Sequence, residues 1–267
     1  MRSPNLWSSV AVASFTFSPI AAEALVTTTS CANPTSCTMT ELLAGGSLTI
    51  DDKQFANFRE YDSSVSGPGP INLGMPIAAD DIRVYSQADE LGTLGVASEI
   101  GLAFNIGIGN PTQLALLDGG QSMSMHWEYD VIVLSPNLAI VDNTLLFPAG
   151  IHNGASIANL ADLSDGASLQ IAEEVLDPAT GQGIVRKSIA AAASASTPIS
   201  DHRDFAPMTS LHVVTDISGF GGGTLETNTS LDWFVQSFSQ ASVPEPTTLA
   251  LLGIGLAGLG FTRCRKS

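Results

Sequence analysis

Four histidines, one compact polar run and three acidic pairs are the residues of this chain whose types could do chemistry. His126, His152, His202 and His212 are scattered, and none stands at metal-ligand spacing from another. No serine sits in a nucleophile-elbow motif, so a Ser-His-Asp hydrolase has no local signature to rest on. Asp201-His202-Arg203-Asp204 is the most polar cluster and reads as a loop, either a solvated turn or a site. Asp51-Asp52, Asp80-Asp81 and Asp89-Glu90 offer the kind of carboxylate oxygens that calcium takes. No D-x-[DN]-x-[DN]-G loop accompanies them, and adjacent acids on a strand point to opposite faces. A solvated acidic surface is the plainer reading, with calcium binding as the alternative. Gly253 to Gly258 fits GxGxxG, but a dinucleotide fold needs a strand before it and an acid about twenty residues on. This run lies in an apolar segment at the end of the chain. Its glycines instead permit close helix approach, with Gly253 and Ala257 spaced as small-xxx-small. No cofactor is implied.

The two ends of the chain carry the more specific signals. Met1-Arg2, an apolar run from Leu6 to Ala22 and the small-x-small Ala22-Glu23-Ala24 form a signal peptide, with cleavage expected after Ala24. At the other end, Val243-Pro244-Glu245-Pro246 is stiff and extended, because each proline fixes its own φ and restricts the residue before it. Thr247 to Thr262 follows without a charge, and Arg263, Arg265 and Lys266 close the chain. An apolar helix with a basic cytoplasmic stop suits a bilayer. It covers about 24 Å of a hydrocarbon core about 30 Å thick, so it spans only with its flanks or by thinning the lipid. A buried C-terminal core helix is the other reading, but such a helix would normally carry a polar face. Cys31 and Cys37, six apart around a Pro-containing turn, are expected to form a small disulfide loop in an exported protein. A metal site would want four ligands, and no histidine is near. Cys264, in the tail, reads as a free thiol, with a lipid anchor as the other possibility.

Pro244-Glu245-Pro246, the short Gly/Leu-rich span and Arg263-x-Arg265-Lys266 together resemble the PEP-CTERM sorting signal. The resemblance implies recognition of Pro244, Glu245 and Pro246 by a membrane-embedded exosortase and cleavage near them. Arg263, Arg265 and Lys266 become the topological stop. GGSLTIDDKQFANF and the Phe-Ser-Gln ending before Val243 also resemble the bodies of such proteins, without bringing any assigned chemistry.

Between the signals lies one body, residues 25–242. Of 26 acidic residues only Glu23 and Glu245 fall outside it, and of 10 basic ones Arg2, Arg263, Arg265 and Lys266. That leaves 24 acids against 6 bases, a net charge of −18. Such a balance argues against nucleic acid and anionic lipid as partners. Ile100, Leu102, Phe104 and Ile106 share one face of a strand over 99–108, and Trp127 and Tyr129 point inward from a longer one over 123–134. Further strands are expected over 81–86, 139–147, 168–176, 183–189, 211–218 and 230–238, with a ninth at Leu48–Ile50. Phe55, Phe58 and Tyr61 recur at helical or bulged-strand spacing, residues 63–70 read as a loop, and Asp177 to Gly181 as a hairpin turn. Met39 to Leu43 is one helical turn, and residues 190–198 are a low-complexity insert. The expected fold is all-β, an antiparallel sandwich of jelly-roll type.

Three function classes follow. The first is a non-catalytic exported surface or matrix protein, handled by signal peptidase and exosortase, passing through the inner membrane and then released or held in extracellular polysaccharide. The second is a carbohydrate- or calcium-binding module, and the third a secreted hydrolase. Fold alone does not choose among them.

Overall fold

A computed structural model of the chain describes residues 25–67, 76–86, 100–106, 117–118, 120–147, 168–190, 199–220, 228–229, 231 and 233–243. The strands are β1 (Val26–Thr29), β2 (Ser36–Thr38), β3 (Ser47–Ile50), β4 (Lys53–Ser66), β5 (Ile82–Ser86), β6 (Ile100–Ile106), β7 (Leu117–Asp118) and β8 (Ser122–Val133). They continue as β9 (Leu138–Phe147), β10 (Ser168–Leu176), β11 (Gly183–Ala190), β12 (Ile199–Met208), β13 (Ser210–Phe220), β14 (Asn228–Thr229), β15 (Trp233–Phe238) and β16 (Gln240–Ser242). One seven-stranded sheet runs β1-β3-β4-β8-β13-β10-β11. The facing sheet runs β12-β9-β15-β6-β5-β2, with β16 also paired to β9. All pairings are antiparallel, so the body is a two-sheet sandwich. The chain passes between sheets repeatedly, as from β8 to β9 to β10 and from β11 to β12 to β13.

Alternation builds the core. Met123, Met125, Trp127, Tyr129 and Val131 of β8 are buried, while Glu128 and Asp130 between them face out. Phe104 stacks on Phe234 across the β6–β15 pair, ring centroids 4.8 Å apart, and meets Trp127 of the opposite sheet at 5.3 Å. Trp127 and Phe104 are fully buried.

β4 explains the three-residue spacing of its aromatics. Ala56, Arg59 and Asp62 oppose Asp130, Glu128 and His126 of β8, three residues on one strand to two on the other. Each step holds a β-bulge with one residue in the left-handed region, Asn57 (φ 57°) and Glu60 (φ 55°). The extra residues turn a period of two into three, so Phe55 and Phe58 are buried and Tyr61 packs at the core edge, while Arg59 is sent to the outer face.

α1 (Met39–Leu43) is the expected single turn. Thr38 Oγ1 accepts from the Glu41 amide and Glu41 Oε2 from the Thr38 amide, a capping box. Glu41 Oε1 also accepts from Ala32, tying the turn to the loop that Cys31 and Cys37 close. The Thr38 backbone bond foremost, then that from Ala32, holds the Glu41 carboxyl below its ordinary range.

Two sequence readings change. The loop expected over 63–70 begins later, because β4 continues through Ser66 against β8. Asp201-His202-Arg203-Asp204 is not a loop but the middle of β12, paired to Leu145, Thr144, Asn143 and Asp142 of β9. β12 is an edge strand, where charged side chains deter unwanted pairing, so its polarity disguised it.

Candidate functional site

The outer face of the first sheet gathers two of the scattered histidines. β13 pairs with β8 so that His212 lies opposite Asp130 and Asp216 opposite His126. The β4 bulge brings in Arg59, whose Nε lies 3.1 Å from Glu128 Oε2 and whose Nη1 lies 3.3 Å from Asp130 Oδ1. His126 Nδ1 is 2.7 Å from Asp216 Oδ1, and Asn57 Nδ2 donates to Asp130 Oδ2. His212 Nδ1 is 2.6 Å from Arg59 Nη2 and 2.9 Å from Asp130 Oδ1. A guanidinium can only donate and a carboxylate only accept, so these two contacts ask for opposite states of the same nitrogen. The network is a charge lattice whose carboxylates are already engaged. Ser124, two residues before His126, hydrogen-bonds Ser64 at 2.9 Å.

The edge of the second sheet holds the other polar cluster. Asp142, His202 and Asp204 place their ligand atoms within 4.8 Å of one another. Thr144 Oγ1 and His202 Nδ1 are 2.8 Å apart, and His202 Nε2 and Asp204 Oδ1 3.4 Å apart, so hydroxyl, imidazole and carboxylate stand in line. Thr144 is 9 % exposed, so its oxygen is poorly presented to a substrate, while the Asp204 side chain is 86 % exposed. Asp142 Oδ1 already accepts from the Ser239 amide. These three are the described side chains, apart from the disulfide with Glu41, that could hold a metal ion. Beside them Lys53 is fully buried, its Nζ without a hydrogen-bond partner among the described residues. Burial pushes its ammonium down to about 8, against the opposing pull of Asp52, Asp51 and Asp142.

Inside the sandwich, Glu173 and Lys187 face each other across the β10–β11 hairpin, Nζ to Oε1 2.9 Å, both side chains fully buried. Neither Glu173 oxygen receives a hydrogen bond of good geometry among the described residues. Tyr129 Oη donates to Gln236 Oε1 (2.8 Å), and Gln236 Nε2 donates to Thr215 Oγ1 (2.9 Å). Burial, and secondarily the Glu173 charge, raises the Tyr129 phenol well above its ordinary value.

The residues singled out from sequence are distributed as follows. Cys31 and Cys37 are joined, Cα atoms 5.3 Å apart. Asp51 and Asp52 form the β3–β4 turn and have structural partners, Leu25 N on Asp51 Oδ1 and Gln240 Nε2 on Asp52 Oδ2. Asp80 and Asp81 lie in a 3-10 turn (Ala79–Asp81). Asp89, Glu90, His152, the expected signal peptide over 1–24 and Pro244, Glu245, Pro246, Arg263, Arg265 and Lys266 lie outside the described residues. No described helix is long and apolar enough to cross a membrane. No local signal marks the Arg59–His212 network, because its members meet only through the β13–β8 and β4–β8 registers.

The last described residue, Val243, donates its amide to Asn137 O, so the sandwich closes where the polar-to-apolar tail begins. Residues 242–266 match the PEP-CTERM protein-sorting motif. The chain carries that sorting signal. The PEP-CTERM match spans Pro244, Glu245, Pro246 and all three terminal cations, and it implies processing by an exosortase. No curated protein matches the chain. Among solved structures, TmCBM61 in complex with beta-1,4-galactotriose is similar at 12 % identity and TM-score 0.29, over 68 % of this chain and 88 % of that one. The GH31 alpha-xylosidase from Xanthomonas citri is similar at 9 % identity and TM-score 0.19, over 74 % and 26 %. Likenesses this weak carry no argument about function.

Proposed function

We propose that the chain is a non-catalytic exported surface or matrix protein whose tail is processed by an exosortase, leaving the sandwich as the working body. The observation that carries this reading is the PEP-CTERM match at 242–266, which begins at the end of β16. Domain limits of 1–24, 25–242 and 243–267 are part of the proposal. The body supports them at both ends. Leu25 N lies 2.9 Å from Asp51 Oδ1, so cleavage after Ala24 would turn that bond into a terminal ammonium–carboxylate pair. Pro244 follows directly on the backbone-bonded Val243, and a rigid Pro-Glu-Pro can be bound at low ordering cost. The non-catalytic reading is supported by imidazoles committed to carboxylates at His126 and His212 and by the poorly presented Thr144 hydroxyl at His202. A screen of ester, glycoside and peptide substrates checks it, and turnover of any of them would replace it with the hydrolase.

In cells possessing an exosortase, Glu245→Ala, or Pro244→Ala with Pro246→Ala, should leave export intact and trap full-length protein in the inner membrane. Replacing Arg263, Arg265 and Lys266 together should instead weaken the topological stop. Immunoblots of membrane and medium fractions compare these with the parent. Release of the Pro-Glu-Pro variants at the parental rate would end the sorting reading.

A further inference from the structure

We infer that the outer face of the second sheet carries a polysaccharide-binding site centred on Tyr85 and Trp233. The inference concerns the body and does not depend on how the tail is processed. Two rows of outward residues run across β5, β6 and β15 in register. Tyr85, Ala103 and Val235 form one row, and Arg83, Asn105 and Trp233 the next. Tyr85 and Trp233 stand on strands that are not neighbours, yet their ring centroids are 5.4 Å apart with planes 36° from parallel. They meet because the residue between them is Ala103, fully buried, small enough for two large rings to close over it. Leu146 and Val235 complete this second apolar cluster, which is separate from the main core. Both rings remain only partly buried. Among the described residues the other large rings mostly face the core, so this pair is an aromatic ledge on the surface.

The surroundings select the occupant. Arg83 and Asn105 lie beside the ledge, and no hydrogen bond or ion pair among the described residues engages either side chain. The charge of Arg83 reaches Glu41. Ser36, in register with Tyr85 on β2, has a buried hydroxyl without a partner among the described residues. A ledge of two rings is far below the roughly 800 Å² that each side of a stable protein interface buries. Apolar rings rimmed by unspent donors and acceptors fit a ligand with one C–H face and many hydroxyls, as a pyranose ring has. Tyr and Trp serve such mixed surfaces because each joins a broad apolar ring to a polar tip. The single rim cation admits acidic sugars as well as neutral ones, while the −18 body repels polyanions of high charge density.

The test is native affinity electrophoresis of the full exported chain in gels cast with galactan, xylan, hydroxyethylcellulose, xanthan or polygalacturonate. Retardation in at least one gel is expected. Tyr85→Ala and Trp233→Ala should each weaken it about tenfold or more, the change that about 1.4 kcal/mol of lost contact produces. Tyr85→Phe, which keeps the ring, should bind like the parent. Arg83→Ala with Asn105→Ala, changes at partly exposed positions outside the apolar cluster, should also weaken binding, and this variant decides the matter if the ring variants fail to fold. No retardation in any gel would overturn the inference, as would parental retardation of the folded ring or rim variants. So would a dimer in light scattering that the Tyr85 and Trp233 variants dissolve, since the face would then be an interface between copies.

Discussion

Lys187→Met should be among the most damaging single changes in the body. The pair it breaks lies between β10 and β11, 2.9 Å apart, with neither side chain exposed. Without Lys187 the Glu173 carboxylate stays behind in the core with no cation and no hydrogen-bond donor of good geometry among the described residues. Removing one partner of a buried pair typically costs about 3–5 kcal/mol, because the remaining charge is desolvated without compensation. For a domain of this size each kcal/mol lowers Tm by about 2–4 °C, so a fall of roughly 6–20 °C is expected. The double change Glu173→Leu with Lys187→Met is expected to behave quite differently. It removes both desolvation costs, and replacing such pairs by apolar side chains is often neutral or stabilising by about 1–4 kcal/mol. Because neither Glu173 oxygen is otherwise satisfied, the stabilising end of that range is expected here.

The assay is urea denaturation of parent, both singles and the double at pH 7. A Lys187→Met variant within about 0.5 kcal/mol of the parent, the range of an ordinary surface change, would refute the reasoning.

Three further outcomes are expected. Lys53→Met should stabilise the body at pH 7 by on the order of 1–3 kcal/mol, since the ammonium, buried and pushed down to about 8, is disfavoured in the fold. With the folded value below the unfolded one, parental stability should rise between about pH 8 and 10 as the proton leaves, and the variant should lose that rise in urea midpoints. Glu60→Gly, at φ 55°, should add about 0.5–1 kcal/mol by relieving the left-handed conformation at the second bulge, whereas Glu60→Val should cost about 1 kcal/mol or more, both read from chemical denaturation. Mass spectrometry of non-reduced exported protein should find Cys31 and Cys37 bridged, and their reduction should cost about 2–3 kcal/mol at most because the loop is short.

Much of the fold was legible because most inner strands obey a period of two. β6 and β8 announce themselves in Ile100 to Ile106 and Met123 to Val133, and Phe104 and Trp127 fall in the core as their alternation requires. β4 was half legible. Its aromatics stand three apart, a spacing shared by helices and doubly bulged strands, and only pairing with β8 decides between them. β12 was illegible because an edge strand faces water on more than one side, and its charges read as a turn. The polar pairings were less legible. Glu173 stands four residues before the Asp177–Gly181 turn and Lys187 six after it, and they become opposite only through the register shift between Val175 and Leu176. Nothing local could bring His212 to Asp130 or Arg59 to Glu128, since those contacts depend on three strands far apart in sequence.

The placement of the chain ends bears on function more directly than any polar cluster does. β1 starts one residue after Leu25, whose amide is held by Asp51 in the β3–β4 turn. β16 ends at Ser242, and Val243 is fixed to Asn137 in the β8–β9 connection. Both anchors are made wholly within residues 25–243, so cutting at Ala24 and near Pro244-Glu245-Pro246 would remove no hydrogen bond described for the sandwich. A sorting signal that had to contribute to the fold could not be cut away without cost. Here the matched motif begins at Ser242, as the last strand ends, so a cut beyond it would leave the described body intact. The body is strongly acidic, is built from antiparallel pairing in both sheets, and presents the Tyr85–Trp233 ledge on its second sheet. The tail thus accounts for where the protein goes, and the aromatic face for what would hold it there.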